Sequence, residues 1–163
     1  ISTINLTSEV SGFDWSPDEN KLVYGITNSG TSEIYIISRD GMNNNFFTAG
    51  TNPAWKIGEY IAFEYSTPEG ATLSAIKNDG TALNRLRIGF EPQFIELNRI
   101  LYGYGIQIRL INLDGTQDEL LFDNFDKRSN PKISSDKSKI VAMGIGYGIY
   151  VRNITGTGEV QIR

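Results

Sequence analysis

The sequence has no histidine and no cysteine. Lacking histidine, it is without the commonest general base and the commonest metal-ligating side chain. Lacking cysteine, it has no thiol nucleophile, no thiolate zinc site and no disulfide, and it fits either redox compartment. No apolar run approaches the ~20 residues of a membrane-crossing helix, so membrane insertion is not expected. Ile1–Val10 also lacks the charged start and apolar centre of a secretory signal. Basic residues are few: 15 Lys and Arg stand against 19 Asp and Glu, for a net charge of −4. A phosphate-binding surface needs clustered cations, so nucleic acid is not an expected partner. The nearest approach to a cluster, Arg85, Arg87, Lys127 and Arg128, reads as solvated loop charge. The chain does not open on Met, which points to a processed protein or an excised fragment.

What the sequence does have is a repeat. The segments starting at Phe13, Pro53, Pro92 and Pro131 align on the anchors Trp15, Trp55, Phe94 and Ile133, spaced by 40, 39 and 39 residues. Asp40-Gly41, Asp79-Gly80, Asp114-Gly115 and Thr155-Gly156 recur at a matching place downstream. A period near forty that carries aromatics, prolines and turns together is the mark of a repeat architecture.

Each unit reads as four short strands. Strand A is short and holds the anchor. Strand B covers Leu22–Ile26, Tyr60–Tyr65, Ile100–Tyr104 and Ile140–Ile145. Strand C covers Glu33–Ser38, Thr72–Ile76, Gln107–Asn112 and Ile149–Asn153. Strand D covers Asn45–Thr48, Asn84–Ile88, Glu119–Phe122 and Val160–Arg163. These runs are rich in Ile, Tyr, Phe and Val and are bounded by Gly, Asn and Asp, as strands are. No sustained helical period is present. The expected fold is all-β: a β-propeller of four blades, each of four antiparallel strands, with units at about 10–48, 49–88, 89–122 and 123–163. Residues 1–9 are read as an outer strand of a preceding blade.

The Trp-Ser-Pro-Asp of Trp15–Asp18, the following Lys-Leu-Val-Tyr, and the Ile-Tyr and Asp-Gly of the third strand resemble the TolB-like propeller repeat. The resemblance runs through all four units and is clearest in the first. Unit two keeps Pro53 and Trp55 without Ser-Pro-Asp, unit three has Phe94 at the anchor, and unit four has Ile133. It implies rings of six to eight blades. Three arrangements stay open for four units: a piece of a longer propeller, a half-ring completed by a second copy, and a self-closed four-blade ring.

Catalytic motifs are absent from the sequence. There is no Gly-x-Ser-x-Gly elbow, no triad without histidine, and no phosphate loop. Gly144–Gly148 suits a tight hairpin, and Asp123–Asp126 lacks the Gly and distal Glu of a calcium loop. Asp14 with Asp18, and Asp118 with Glu119, read as solvated carboxylates and not as a glycosidase pair. The two Asn-x-Thr triplets, at Asn5 and Asn153, fall in expected strands and are read as chance.

Trp15, Trp55 and Phe94 recur at the blade period and are expected to pack between neighbouring blades. Tyr65, Tyr104 and Tyr147 fall near the B–C turns, while Asn52, Glu91 and Asn130 immediately precede strand A. In a propeller, those turns and the D–A crossovers share one rim. Loops on one face of a rigid scaffold are where binding concentrates. The candidate partner-binding rim is therefore Tyr65, Tyr104, Tyr147, Asn52, Glu91 and Asn130, with Arg128 as an anion or partner anchor. No cofactor and no metal are called for. The expectation is a non-catalytic module that binds a protein partner, extracytoplasmic, with self-association able to complete the ring. Two alternatives stand beside it: an accessory propeller of a larger hydrolase or peptidase, and carbohydrate or small-ligand binding at the channel mouth.

Overall fold

The computed structural model describes residues 8–55, 57–123, 130–144, 148–155, 158 and 160–162. Among them lie sixteen β-strands and no helix, arranged as four antiparallel sheets of four. Blade 1 is β1 (Glu9–Trp15), β2 (Lys21–Asn28), β3 (Thr31–Ser38) and β4 (Asn45–Ala49). Blade 2 is β5 (Thr51–Ala54), β6 (Tyr60–Thr67), β7 (Gly70–Lys77) and β8 (Asn84–Ile88). Blade 3 is β9 (Phe90–Glu96), β10 (Arg99–Tyr104), β11 (Gln107–Asn112) and β12 (Glu119–Phe122). Blade 4 is β13 (Lys132–Ile133), β14 (Lys139–Gly144), β15 (Gly148–Asn153) and β16 (Val160–Ile162). Each sheet is a simple meander in chain order. The all-β, four-blade reading holds. Of the outer strand expected at 1–9, residues 1–7 lie outside the described residues, and Glu9 belongs to β1.

The turns explain why the strands end where they do. In blade 1 the Ser16 hydroxyl donates to Asp18 Oδ1 at 2.6 Å and accepts from Lys21 N–H at 2.8 Å. Blade 4 repeats this: Ser134 donates to Asp136 at 2.6 Å and accepts from Lys139 N–H at 3.0 Å. These bonds hold Asp18 and Asp136 well below the usual carboxylate range, both at about 2, the serine hydroxyl being the largest cause in each. At the C–D turns, Asp40, Asp79 and Asp114 each accept from the backbone N–H two residues on, at 2.9 Å. The glycine that follows each aspartate has φ of 84–85°, which a side chain would oppose.

The middle strands of blades 2 and 3 have two apolar faces, because these inner sheets are covered on both sides. Across the first joint, Val23 and Ile34 of blade 1 meet Trp55, Ile61 and Phe63 of blade 2. Across the second, Leu73 and Ala75 meet Phe94, Ile100 and Tyr102. Across the third, Leu101 and Ile108 meet Ile140 and Ala142. Trp55 is 2% exposed and Phe94 is equally buried, as expected of the anchors. Trp15 corrects that expectation: it is 46% exposed. Among the described residues no blade covers the side of blade 1 that Trp15 faces, and the arc stays open.

Candidate functional site

The innermost strands β1, β5, β9 and β13 present free edges toward the channel. Pro53 and Pro92 on these edges remove N–H groups that would otherwise lack a ladder partner. The residue before each of the three prolines is held in the left-handed region: Asn52 at φ 49°, Glu91 at 52° and Asn130 at 41°. Non-glycine residues seldom adopt this conformation, and recurrence at the blade period marks it as a built feature. The left-handed turn swings each of the three toward the channel as the chain crosses from one blade to the next.

All three come together. Asn52, Glu91 and Asn130 line one cavity of about 420 Å³ with Phe13, Pro53 and Lys132. A second cavity of about 550 Å³ shares Ser11 and Asn52 with the first and adds Glu9, Thr51, Glu64 and Phe90. A chain of hydrogen bonds fixes their walls. Asn52 Nδ2 donates to Glu64 Oε1 at 2.6 Å, and Glu91 N–H donates to the same oxygen at 2.7 Å. Glu91 Oε2 in turn accepts from Asn130 N–H at 2.6 Å, 39 residues onward. The side chain of one blade thus orients the crossover of the next. Glu9 and Glu64 give the second cavity an acidic lining, while in the first Glu91 is matched by Lys132.

The tyrosines sit elsewhere. Tyr65 is half-buried in the joint between blades 1 and 2, with the Arg85 guanidinium 4.5 Å from its ring centre. Tyr104 is exposed and has Arg87 at 5.3 Å. Neither lines the two cavities, because both lie out toward β8, the outermost strand of blade 2. Tyr147 and Arg128 lie outside the described residues. The expected rim therefore divides into an inner group, Asn52, Glu91 and Asn130, and an outer pair of Arg–Tyr contacts.

Several working residues escaped the sequence reading. Asp14, taken there as a solvated carboxylate, accepts from Trp55 N–H at 2.9 Å across the first joint. Gln93 does the same for Ile133 N–H at 3.0 Å across the third. Both stand one place before an anchor, a shared position that could have revealed them. Glu64 stands where blades 1 and 3 have Gly25 and Gly103, which was its signal. Asp118, also read as solvated, accepts from Tyr102 OH at 2.7 Å and from Arg109 at 2.9 and 3.1 Å, and is paired with Arg87. Burial is the main reason the Tyr102 hydroxyl titrates above its ordinary value. Asp118 ties blade 2 to blade 3. Among the described residues, no group of three or more acidic side chains is placed to hold a metal ion. No described helix is long and apolar enough to cross a membrane.

Four meander sheets stacked about an open channel define the class: an open arc of a β-propeller. The fold is that of TolB-like propellers. It superposes on the putative TolB of Agrobacterium tumefaciens with a TM-score of 0.78 at 15% identity, covering 91% of this chain and 63% of that one. A chain of a nidogen/laminin complex gives 0.76 at 14% identity, with 94% and 64% covered. An oligogalacturonate lyase in complex with manganese gives 0.64 at 12% identity, with 92% and 52% covered. This chain therefore spans less than two thirds of the length of these solved chains. No family model and no curated protein matches the sequence.

Proposed function

We propose that this propeller is a non-catalytic interaction module, extracytoplasmic, that receives a segment of a partner protein at the channel mouth. The observation that carries the reading is the period-locked set Asn52, Glu91 and Asn130, held in left-handed conformation around one polar cavity. Preorganised polar groups on a rigid scaffold lower the ordering cost of binding. The acidic lining of the adjoining second cavity suits a segment rich in backbone amides or carrying Lys or Arg. The fold likeness to TolB and to a chain of a nidogen/laminin complex supports a protein partner and an extracytoplasmic setting.

A second reading, carbohydrate binding, draws support from the likeness to an oligogalacturonate lyase. The carboxylates Glu9, Glu64 and Glu91 would repel an anionic sugar, so a neutral glycan is the form of that reading that fits.

Cross-linking tests the proposal. A photo-reactive residue placed at Asn130 should capture a discrete protein partner, and one at Asp79, on the opposite rim, should not. Equal capture from both rims, or none from position 130, overturns the channel-mouth assignment. We also propose that copies of this chain associate to complete a propeller.

A further inference from the structure

The anchor of blade 2 carries a polar atom that the later anchors lack. Phe94 and Ile133 fill the same place at the second and third joints with carbon alone. Trp55 brings an indole N–H. Trp55 is 2% exposed and packs with Val23, Ile34, Ile61, Phe63 and Ile76, and its backbone N–H is taken by Asp14. The indole Nε1–H is shut off from solvent and meets no acceptor among the described residues. A buried tryptophan N–H ordinarily finds a partner, and one left without forfeits its bond to water.

Trp55 borders a cavity of about 210 Å³ set into the first joint. Ser16, Pro17, Asp18 and Lys21 of blade 1 form one wall, and Gly58 and Asn78 of blade 2 complete it. The space far exceeds the roughly 10–15 Å³ that one water needs, so a larger guest fits. Asp18 supplies the opposite half of a hydrogen-bonding pair. Its Oδ1 accepts from the Ser16 hydroxyl at 2.6 Å and from Asn20 N–H at 3.1 Å. Among the described residues its Oδ2 accepts one bond, from Asn20 Nδ2 at 3.0 Å, and a carboxylate oxygen has capacity for another. The same bonds hold the carboxyl ionised, with a value of about 2.

These groups select among guests. An anion would meet the indole N–H but also the Asp18 charge. A cation would suit Asp18, yet leave the indole unmet and stand beside Lys21. A carbonyl would accept from the indole and give nothing to Asp18. A hydroxyl serves both, since one oxygen accepts and donates at once.

We propose that this cavity binds a neutral hydroxyl compound, a small polyol or one ring of a glycan. One hydroxyl accepts from Trp55 Nε1–H and donates to Asp18 Oδ2. The site lies on the rim opposite Asn52, Glu91 and Asn130 and is independent of the partner proposed there.

NMR of the whole chain carrying Trp15→Phe tests it, because the single indole N–H signal then belongs to Trp55. Glycerol and methyl β-glucoside are the probes, titrated at millimolar concentration, with acetate as the anion control. A probe that binds should shift that signal saturably, and acetate should not. A response to glycerol alone identifies a free polyol, one to the glucoside alone a glycan ring, and one to both the hydroxyl itself. Asp18→Asn should weaken binding about tenfold, through loss of one bond to a charged group. Asp136→Asn, in the matching turn of blade 4, should leave it unchanged. Circular dichroism confirms folding. Should Asp18→Asn fail to fold, Trp55→Phe takes its place, and calorimetry should then find binding lost. Three results overturn the proposal: no saturable shift with either probe, an equal shift with acetate, or undiminished binding in the variant that folds.

Discussion

Trp15 and Trp55 hold the same place in successive blades, forty residues apart, and meet opposite environments. Trp55 is sealed between Val23 and Ile34 on one side and its own sheet on the other, while Trp15 faces solvent. Sequence pattern assigns a residue to a face; only the presence of the next blade decides whether that face is interior. Asp14 shows the asymmetry in polar form. Its Oδ2 accepts from Trp55 N–H across the joint, while its other oxygen, Oδ1, accepts from Trp15 N–H within its own blade.

Truncation separates the two tryptophans most sharply. Trp55→Ala should cost about 3–5 kcal/mol in urea unfolding, through lost burial and the cavity left behind. Trp15→Ala in the dilute chain should cost less than a third of that. Equal losses would mean that Trp15 is covered in the monomer. Next in size, Asp118→Ala should cost about 1.5–3 kcal/mol, because Arg87, Arg109 and Tyr102 lose a charged acceptor in the half-buried joint between blades 2 and 3. A neutral result would show that solvent replaces Asp118 there. Asp14→Ala should cost about 1 kcal/mol, the worth of one cross-joint hydrogen bond, and should leave the second joint untouched.

The smallest effects belong to the exposed turns. Asp18 and Asp136 have folded-state values lowered to about 2, so what they add to stability is present above ~4 and lost as pH falls through about 2. Ser16→Ala should raise the Asp18 titration toward the ordinary carboxylate range and leave Asp136 where it is, as followed by NMR. If both move together, the two turns are not independent repeats of one local device.

Much of this was legible in the residues. Strands B, C and D were placed to within three residues at either end, because the Asp-Gly turns and the alternating β-branched runs are local signals. Two A strands ran longer than expected, seven residues in both β1 and β9, since pairing with the B strand begins well before the anchor. Asn52, Glu91 and Asn130 were placed at the crossovers by spacing alone, the crossover being part of the repeat. Tyr65 and Tyr104 were assigned to the same rim but not to their arginines. Those contacts depend on a register shift in β8, between the pairs Leu73–Arg87 and Ser74–Arg85, which turns the two arginines toward opposite joints. Glu64 was overlooked because it breaks the repeat where blades 1 and 3 have glycine, and a search for sameness passes over it.

The most direct test uses the fact that the chain has only two tryptophans. In Trp15→Phe the remaining Trp55 should resist acrylamide quenching at every protein concentration. In Trp55→Phe the remaining Trp15 should be quenched freely. Protection of Trp15 even at the greatest dilution would show a ring already closed within one chain, contrary to the open arc on which this account rests.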